Sequence, residues 1–166
     1  MGHGPVHQRI DFDMIGVSMT IRGDKVDRGL QSLSRSVNKT IVLNKKLGIA
    51  GVRWVLKNFD RQGKPRWQNL KETTANARIR PGSPRRRGSG HILVSNGLYR
   101  ASFASNPTAK SVRIGSPWKI SIVHEEGRGH MPKRMALPTK AQAEREIIQP
   151  VTGQFIKAII KESDLG

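Results

Sequence analysis

Cysteine is absent from this chain, which excludes a disulfide framework, thiol catalysis and every Cys-ligated metal site. Aromatic residues are also scarce, at 5% of the 166 residues, and apolar residues of all kinds reach only 36%. That supply supports one modest core, so part of the stability is expected from contacts between subunits. No apolar run approaches the ~20 residues that a membrane span needs, and the N-terminal stretch lacks the apolar centre of a secretory signal. The expectation is a soluble chain made in a cytoplasm, with no membrane partner. Acids are the last shortage: 12 against 30 Lys and Arg, for a net charge of +18.

The surplus is not spread evenly. Residues 28–119 hold twenty of the bases and two acids, Asp60 and Glu72, which accounts for the whole net charge; the flanks carry ten of each sign and cancel. Like charges kept together repel, so such a block implies an anionic neighbour: nucleic-acid phosphates, an acidic protein surface or lipid headgroups. The alternative is a merely solvated, solubilising surface.

Periodicity predicts an α+β fold. Residues 1–8 read as a flexible tail and 9–166 as one domain. Ile10, Phe12 and Met14, then Val17, Met19 and Ile21, alternate with polar residues as half-buried strands do, with a bulge or turn at Gly16. Asp24 is positioned to cap a long helix running to about Asp60, its apolar residues Val26, Leu30, Leu33, Val37, Ile41, Val52, Val55 and Phe59. Some 35 residues at 1.5 Å each would make a rod on the order of 50 Å long. Gly48 and Gly51 mark a kink or a close helix contact. The segment 75–90, ending in Pro81-Gly82-Ser83-Pro84-Arg85-Arg86-Arg87-Gly88-Ser89-Gly90, reads as a long basic loop. Strands are expected at 111–115 and 119–123, a Gly-containing loop at 125–133, and a helix from Thr139 that Pro150 kinks or restarts.

Catalytic signals are weak. His124-Glu125-Glu126 and His130 suggest a metal or hydrolase site, but the spacing is not H-E-x-x-H, and Gly127 and Gly129 interrupt a helix there. The plainer reading is a histidine in a turn packed on the sheet beside exposed acids. No G-x-S-x-G or phosphate loop is present, and no helix-turn-helix, zinc finger or RNA-binding aromatic sheet. Neither enzyme activity nor a cofactor nor a metal is expected. Arg78, Arg80, Arg85, Arg86 and Arg87 are suited to phosphate or acidic-surface contacts that read no sequence.

Anchors recur in a familiar order: Phe59; Gly63-x-Pro65-x-Trp67-x-x-Leu70; Thr73; Ile92 to Leu98 with Gly97; Ser102; Val112-x-Ile114-Gly115-Ser116; His124-Glu125-x-Gly127; Pro132-x-Arg134; Leu137. Over about 26–160 the chain resembles the phage virion morphogenesis proteins, the tail-completion or neck family of tailed phages. The resemblance implies structural roles for Trp67, Leu70, Gly97, Leu98, Gly115, His124, Gly127, Pro132 and Arg134. It also implies a virion protein at the neck, a ring of six or twelve copies that completes the tail for head joining. Its neighbours would be the head-tail connector and the tail terminator or tail tube proteins, with packaged DNA as a non-specific contact. The alternative function is a free, non-specific DNA-binding protein acting in packaging or compaction.

Overall fold

The computed structural model describes residues 9–13, 16–22, 37–80 and 91–163. It is an α+β fold around a four-stranded, wholly antiparallel sheet of order β1-β2-β4-β3. Strands β1 (Arg9–Asp13) and β2 (Gly16–Arg22) form a hairpin, so the alternation on either side of Gly16 marks a turn. β3 (Ala104–Pro107) and β4 (Ser111–Ser116) form a second one. Register places Met19 opposite Ile10 on one side and Ile114 on the other. Met19, Val112 and Ile114 are fully buried, so the sheet contributes one face to the core.

Helix α1 (Val37–Asp60) covers that face. At 24 residues it is about 36 Å long; the expected start at Asp24, with Val26, Leu30 and Leu33, falls outside the described residues. The end at Asp60 agrees with the sequence reading. Its buried side differs in the middle from the expected stripe: Leu43, Asn44, Leu47, Gly48, Gly51 and Val55 face inward, while Ile41 and Val52 are half-buried. Glycines take two of the inward positions because the backbone lies almost on the sheet. A Cβ on Gly48 would stand 2.8 Å from the Ser105 hydroxyl, and one on Gly51 would collide with the Ile114 side chain. Close contact, not a kink, is what they provide. Asn44 adds a polar pin, donating from Nδ2 to Thr108 O at 2.8 Å in the β3–β4 turn.

Two expectations need correction. Residues 75–79 are not loop: helix α2 (Glu72–Ile79) occupies them. The Pro/Gly/Ser bias begins only at Pro81, and the Ala- and Arg-containing stretch before it suits a helix with Glu72 in its first turn and Arg78 in its last. Likewise 119–123 is not a strand but part of helix α4 (Ile120–Glu126), which follows the single-turn helix α3 (Leu98–Ala101) and the second hairpin. A five-residue apolar run does not distinguish helix from strand. The decisive pattern is Ser121, His124 and Glu125, buried at i, i+3 and i+4, with Gly127 closing the helix at φ 74°.

The C-terminal helix starts where the sequence indicates. Thr139 caps α5 (Lys140–Ala143) through a reciprocal box: Gln142 N donates to its hydroxyl, and Thr139 N donates to Gln142 Oε1. A π turn over Glu144–Ile148 joins α5 to α6 (Gln149–Ser163). Pro150 has no N–H for the turn behind it, and the wide turn precedes that missing bond. The helix therefore runs on past the proline. Within the core Phe59 is a hub, edge-on to Trp67, Tyr99 and Phe103 at 5.4, 5.5 and 5.7 Å, each contact adding about 1 kcal/mol beyond area burial.

Two glycines should behave oppositely on substitution. Gly51→Val drives a branched side chain into Ile114 and should cost about 2 kcal/mol or more. Gly153→Ala, in α6 with open space around it, should gain about 1 kcal/mol. Urea unfolding of both variants checks the pair; equal effects would contradict the close approach of α1 to the sheet.

Candidate functional site: a buried motif cluster and a basic surface

The motif residues gather around one short strap of irregular backbone, Arg134 to Leu137. Three side chains hold it, from α1, from the connection that follows α1 and from α4. Asn58, on the inward face of α1, donates from Nδ2 to Met135 O at 3.0 Å and Ala136 O at 3.1 Å. Trp67 donates from Nε1 to the same Met135 carbonyl at 3.0 Å. Glu125 of α4 accepts from Ala136 N at 2.6 Å and Leu137 N at 3.0 Å. Arg134 closes the set: its backbone N donates to His124 O at 2.7 Å, and its guanidinium donates to Gln68 O and Asn69 O. Backbone groups that no strand or helix pairs are thereby satisfied.

Burial sets the electrostatics here. Glu125 is not the exposed acid the sequence suggested; it is buried, and burial raises its carboxyl to about 7 against the pull of the Leu137 and Ala136 amides and of Lys133. His124 sits on a helix, not in a turn. Burial, helped by the Arg134 charge, lowers its imidazole to about 4. Arg134 is itself held below its usual value, first by burial and then by nearby Arg78. It keeps its charge because three carbonyl contacts solvate it. Nδ1 of His124 has no hydrogen-bond partner among the described residues. Those residues also hold no cluster of three His, Asp or Glu able to bind a metal, and no helix long and apolar enough to cross a membrane.

The other motif positions do quieter work. Gly97 takes φ 77° ahead of α3, and a Cβ on Gly127 would press on the Lys133 backbone at 3.0 Å. Gly115 lies mid-strand in β4, opposite Ser18 and Ala104. Leu70 and Pro132 are half-buried, Leu70 against the core. Leu98 is the exception, 53% exposed while its neighbour Tyr99 is buried. Among the expected contact arginines, Arg78 donates from Nη1 to His91 O at 3.0 Å and so ties together the two ends of segment 81–90. Arg80 is exposed at the end of α2. Arg85, Arg86 and Arg87 lie outside the described residues. Sequence reasoning missed Asn58; its one available signal was a polar residue directly beside Phe59 of the apolar stripe.

The chain matches the phage virion morphogenesis family over residues 21–155. It belongs to that family. No curated protein and no solved structure matches it. The matched span runs from the end of β2 into α6 and contains the whole strap with its fasteners. As a virion morphogenesis protein it has a structural role in building a phage particle and is virion-associated.

Around this scaffold the basic block faces outward. Lys45, Lys46, Arg53, Lys57, Arg66 and Lys71 are all exposed. Ion pairs among the described residues engage two members of the block, Lys64 with Glu146 at 2.7 Å and Arg100 with Asp60 at 2.9 Å. Glu146 also accepts from Trp54 Nε1, and its carboxyl falls to about 2, chiefly through Lys64.

A pH test separates the two buried titrating groups. Between about 4.5 and 6.5 the folded protein keeps Glu125 protonated and His124 neutral, whereas the unfolded chain ionises both. Each state then holds one proton on the pair, so their contributions to the slope of stability cancel. His124→Gln leaves the raised carboxyl alone: stability should be highest near pH 4.5 and fall as pH rises towards 7. Glu125→Gln leaves the lowered imidazole alone: stability should fall as pH drops from 6.5 towards 4. Denaturant unfolding across this window should give slopes of opposite sign in the two variants. Slopes of the same sign would contradict the assignment.

Proposed function

We propose that this virion morphogenesis protein is a neck subunit that completes the tail and joins it to the DNA-filled head. In this reading it acts as a ring of six or twelve copies and catalyses no reaction. The observation that carries the proposal is the outward-facing basic block of a phage structural protein, whose charge its own acids do not balance. The head-tail junction offers two anions at close range, packaged DNA and acidic faces of neighbouring rings. Phosphate and carboxylate contacts made by Arg and Lys at such a junction need no base reading. The head-tail connector on one side and the tail terminator or tail tube proteins on the other are the proposed protein neighbours.

The scaffold supports a structural assignment. Of the side chains that an enzymatic reading would nominate, His124 and Glu125 are buried within the cluster, whereas Glu126 is half-buried and His130 exposed, and the described residues gather no set of three possible metal ligands. Arg78 donates to His91 O across the segment that carries the expected contact arginines Arg85, Arg86 and Arg87 in sequence.

Reversing charge at those three positions (Arg85→Glu, Arg86→Glu, Arg87→Glu) should block joining of heads to tails and leave the melting temperature of the isolated subunit unchanged. Electron microscopy of complementation lysates, counting joined particles against free heads and tails, gives the readout. A normal count of joined particles would sink the proposal. Gel retardation with duplex DNA separates the other reading: a packaging or compaction protein binds strongly as the free chain, with an affinity that falls steeply with salt.

A further inference from the structure

Helix α1 packs one side into the core and leaves an apolar flank open. Val42, Ile49 and Leu56 stand seven residues apart along it, with Lys45 three after Val42 and Val52 three after Ile49. This is the spacing by which one helix seats another, and it lays a seam about 21 Å long. Ile49 is 59% exposed and Val42 42% exposed, while Val52 and Leu56 are half-buried. Alongside runs an open groove of about 420 Å³, where Ile49, Val52, Arg53 and Leu56 face Ala104 and Ser105. β3 spans four residues and ends in Pro107, which has no N–H, so its edge offers little backbone to an added strand. What the groove presents to a partner is the helix flank.

Charge around the seam is of one sign. Lys45 sits within it, Arg53 rims the groove and Lys57 lies one turn further on; all three are exposed, and no ion pair among the described residues engages them. α1 carries no acid before Asp60, which Arg100 already holds, and Ala104–Pro107 carries no charge. We propose that this flank seats an amphipathic helix of a partner protein, apolar along one stripe and acidic on either side of it. The seam favours a helix over a nucleic-acid backbone, because phosphates gain nothing from Val42, Ile49 and Leu56. The bases then favour acids beside the partner's stripe. A second copy of α1 in this seat would set Lys45 and Arg53 against the same bases, and like charges at an interface are repulsive. In such a contact the apolar anchors supply affinity, while the charges set orientation and reject wrong partners. The inference rests on the acidic-neighbour reading above and gives that neighbour a form and a seat.

The probe is a labelled peptide of three heptads, with Leu at each a and d position and Glu at each e and g, titrated with the full-length protein by fluorescence anisotropy at physiological salt. It should bind, and two control peptides should bind at least tenfold more weakly: one of the same composition with its heptad order scrambled, and one with Gln in place of every Glu. Val42→Ser combined with Ile49→Ser, both at exposed positions, should weaken binding of the acidic peptide about tenfold or more without changing the melting temperature. Lys45→Gln with Arg53→Gln should weaken it comparably. Lys71→Gln with Arg80→Gln removes the same charge from outside the seam and should leave the affinity within about threefold, since exposed charges at a distance are screened. Equal binding of the scrambled peptide, or no loss in the serine pair, overturns the seam in favour of charge alone. Equal binding of the Gln peptide overturns the acidic occupant. Duplex DNA retardation that the serine pair abolishes would give the flank to nucleic acid, and wild-type oligomers that the same pair dissolves in sedimentation velocity would give it to a second copy; either result overturns the proposal. Binding of no peptide also overturns it, and leaves the neck reading to the separate count of joined particles.

Discussion

Four residues of backbone, Arg134 to Leu137, have no ladder or helix of their own, and the protein is organised around satisfying them. Asn58, Trp67 and Glu125 reach this strap from three separate stretches of the chain and occupy its carbonyls and amides. An unpaired buried backbone group costs about 1–3 kcal/mol. The five bonds therefore decide whether the C-terminal half docks on α1 at all. Glu125 has the most demanding position, since one oxygen serves two amides while burial disfavours its charge. Protonation resolves that conflict at acidic pH, and the amides oppose it at higher pH.

The family motifs are explained by this arrangement. Trp67 both packs edge-on against Phe59 and holds Met135, so aromatic packing and backbone pairing depend on a single side chain. Arg134 is a buried cation without a carboxylate partner among the described residues, and three carbonyl contacts on Gln68 and Asn69 solvate it. The Gly63–Leu70 segment, the His124–Gly127 segment and the Pro132–Leu137 segment are far apart in sequence but belong to one network. They hold one scaffold together, and a scaffold does not by itself specify a function.

Much of this fold was legible where local chemistry is decisive. The alternation around Gly16 gave a hairpin, Asp60 ended the long helix, and the apolar pattern from Thr139 announced the last one. Legibility failed where a residue's role is set by something distant in sequence. Gly48 and Gly51 interrupt the apolar stripe because Ser105 and Ile114 lie against them, more than fifty residues on. The run Lys119–Val123 carries no period long enough to separate strand from helix, and tertiary burial of Ser121, His124 and Glu125 settles it. Glu125 reads as a surface acid until the amides of Ala136 and Leu137 are placed beside it. The basic surface was legible only as charge, because a sequence counts arginines but does not say which of them, like Arg78, is committed to a carbonyl.

Charge also links the proposed ring to its proposed contents. Each copy brings +18, so gathering six or twelve of them multiplies the repulsion. At physiological salt exposed charges are screened beyond about 8 Å, so distant faces of neighbouring copies tolerate one another. The difficulty is confined to surfaces within that range: the subunit interface and the face that lines the ring. On the lining face of such a ring the block's own acids would be too few to offset its bases. Asp60 is already engaged by Arg100, and Glu72 is the block's only other carboxylate. In the proposed ring that face would stay electrostatically incomplete until a polyanion or an acidic neighbour occupied it, which would tie the order of assembly to the arrival of the partner.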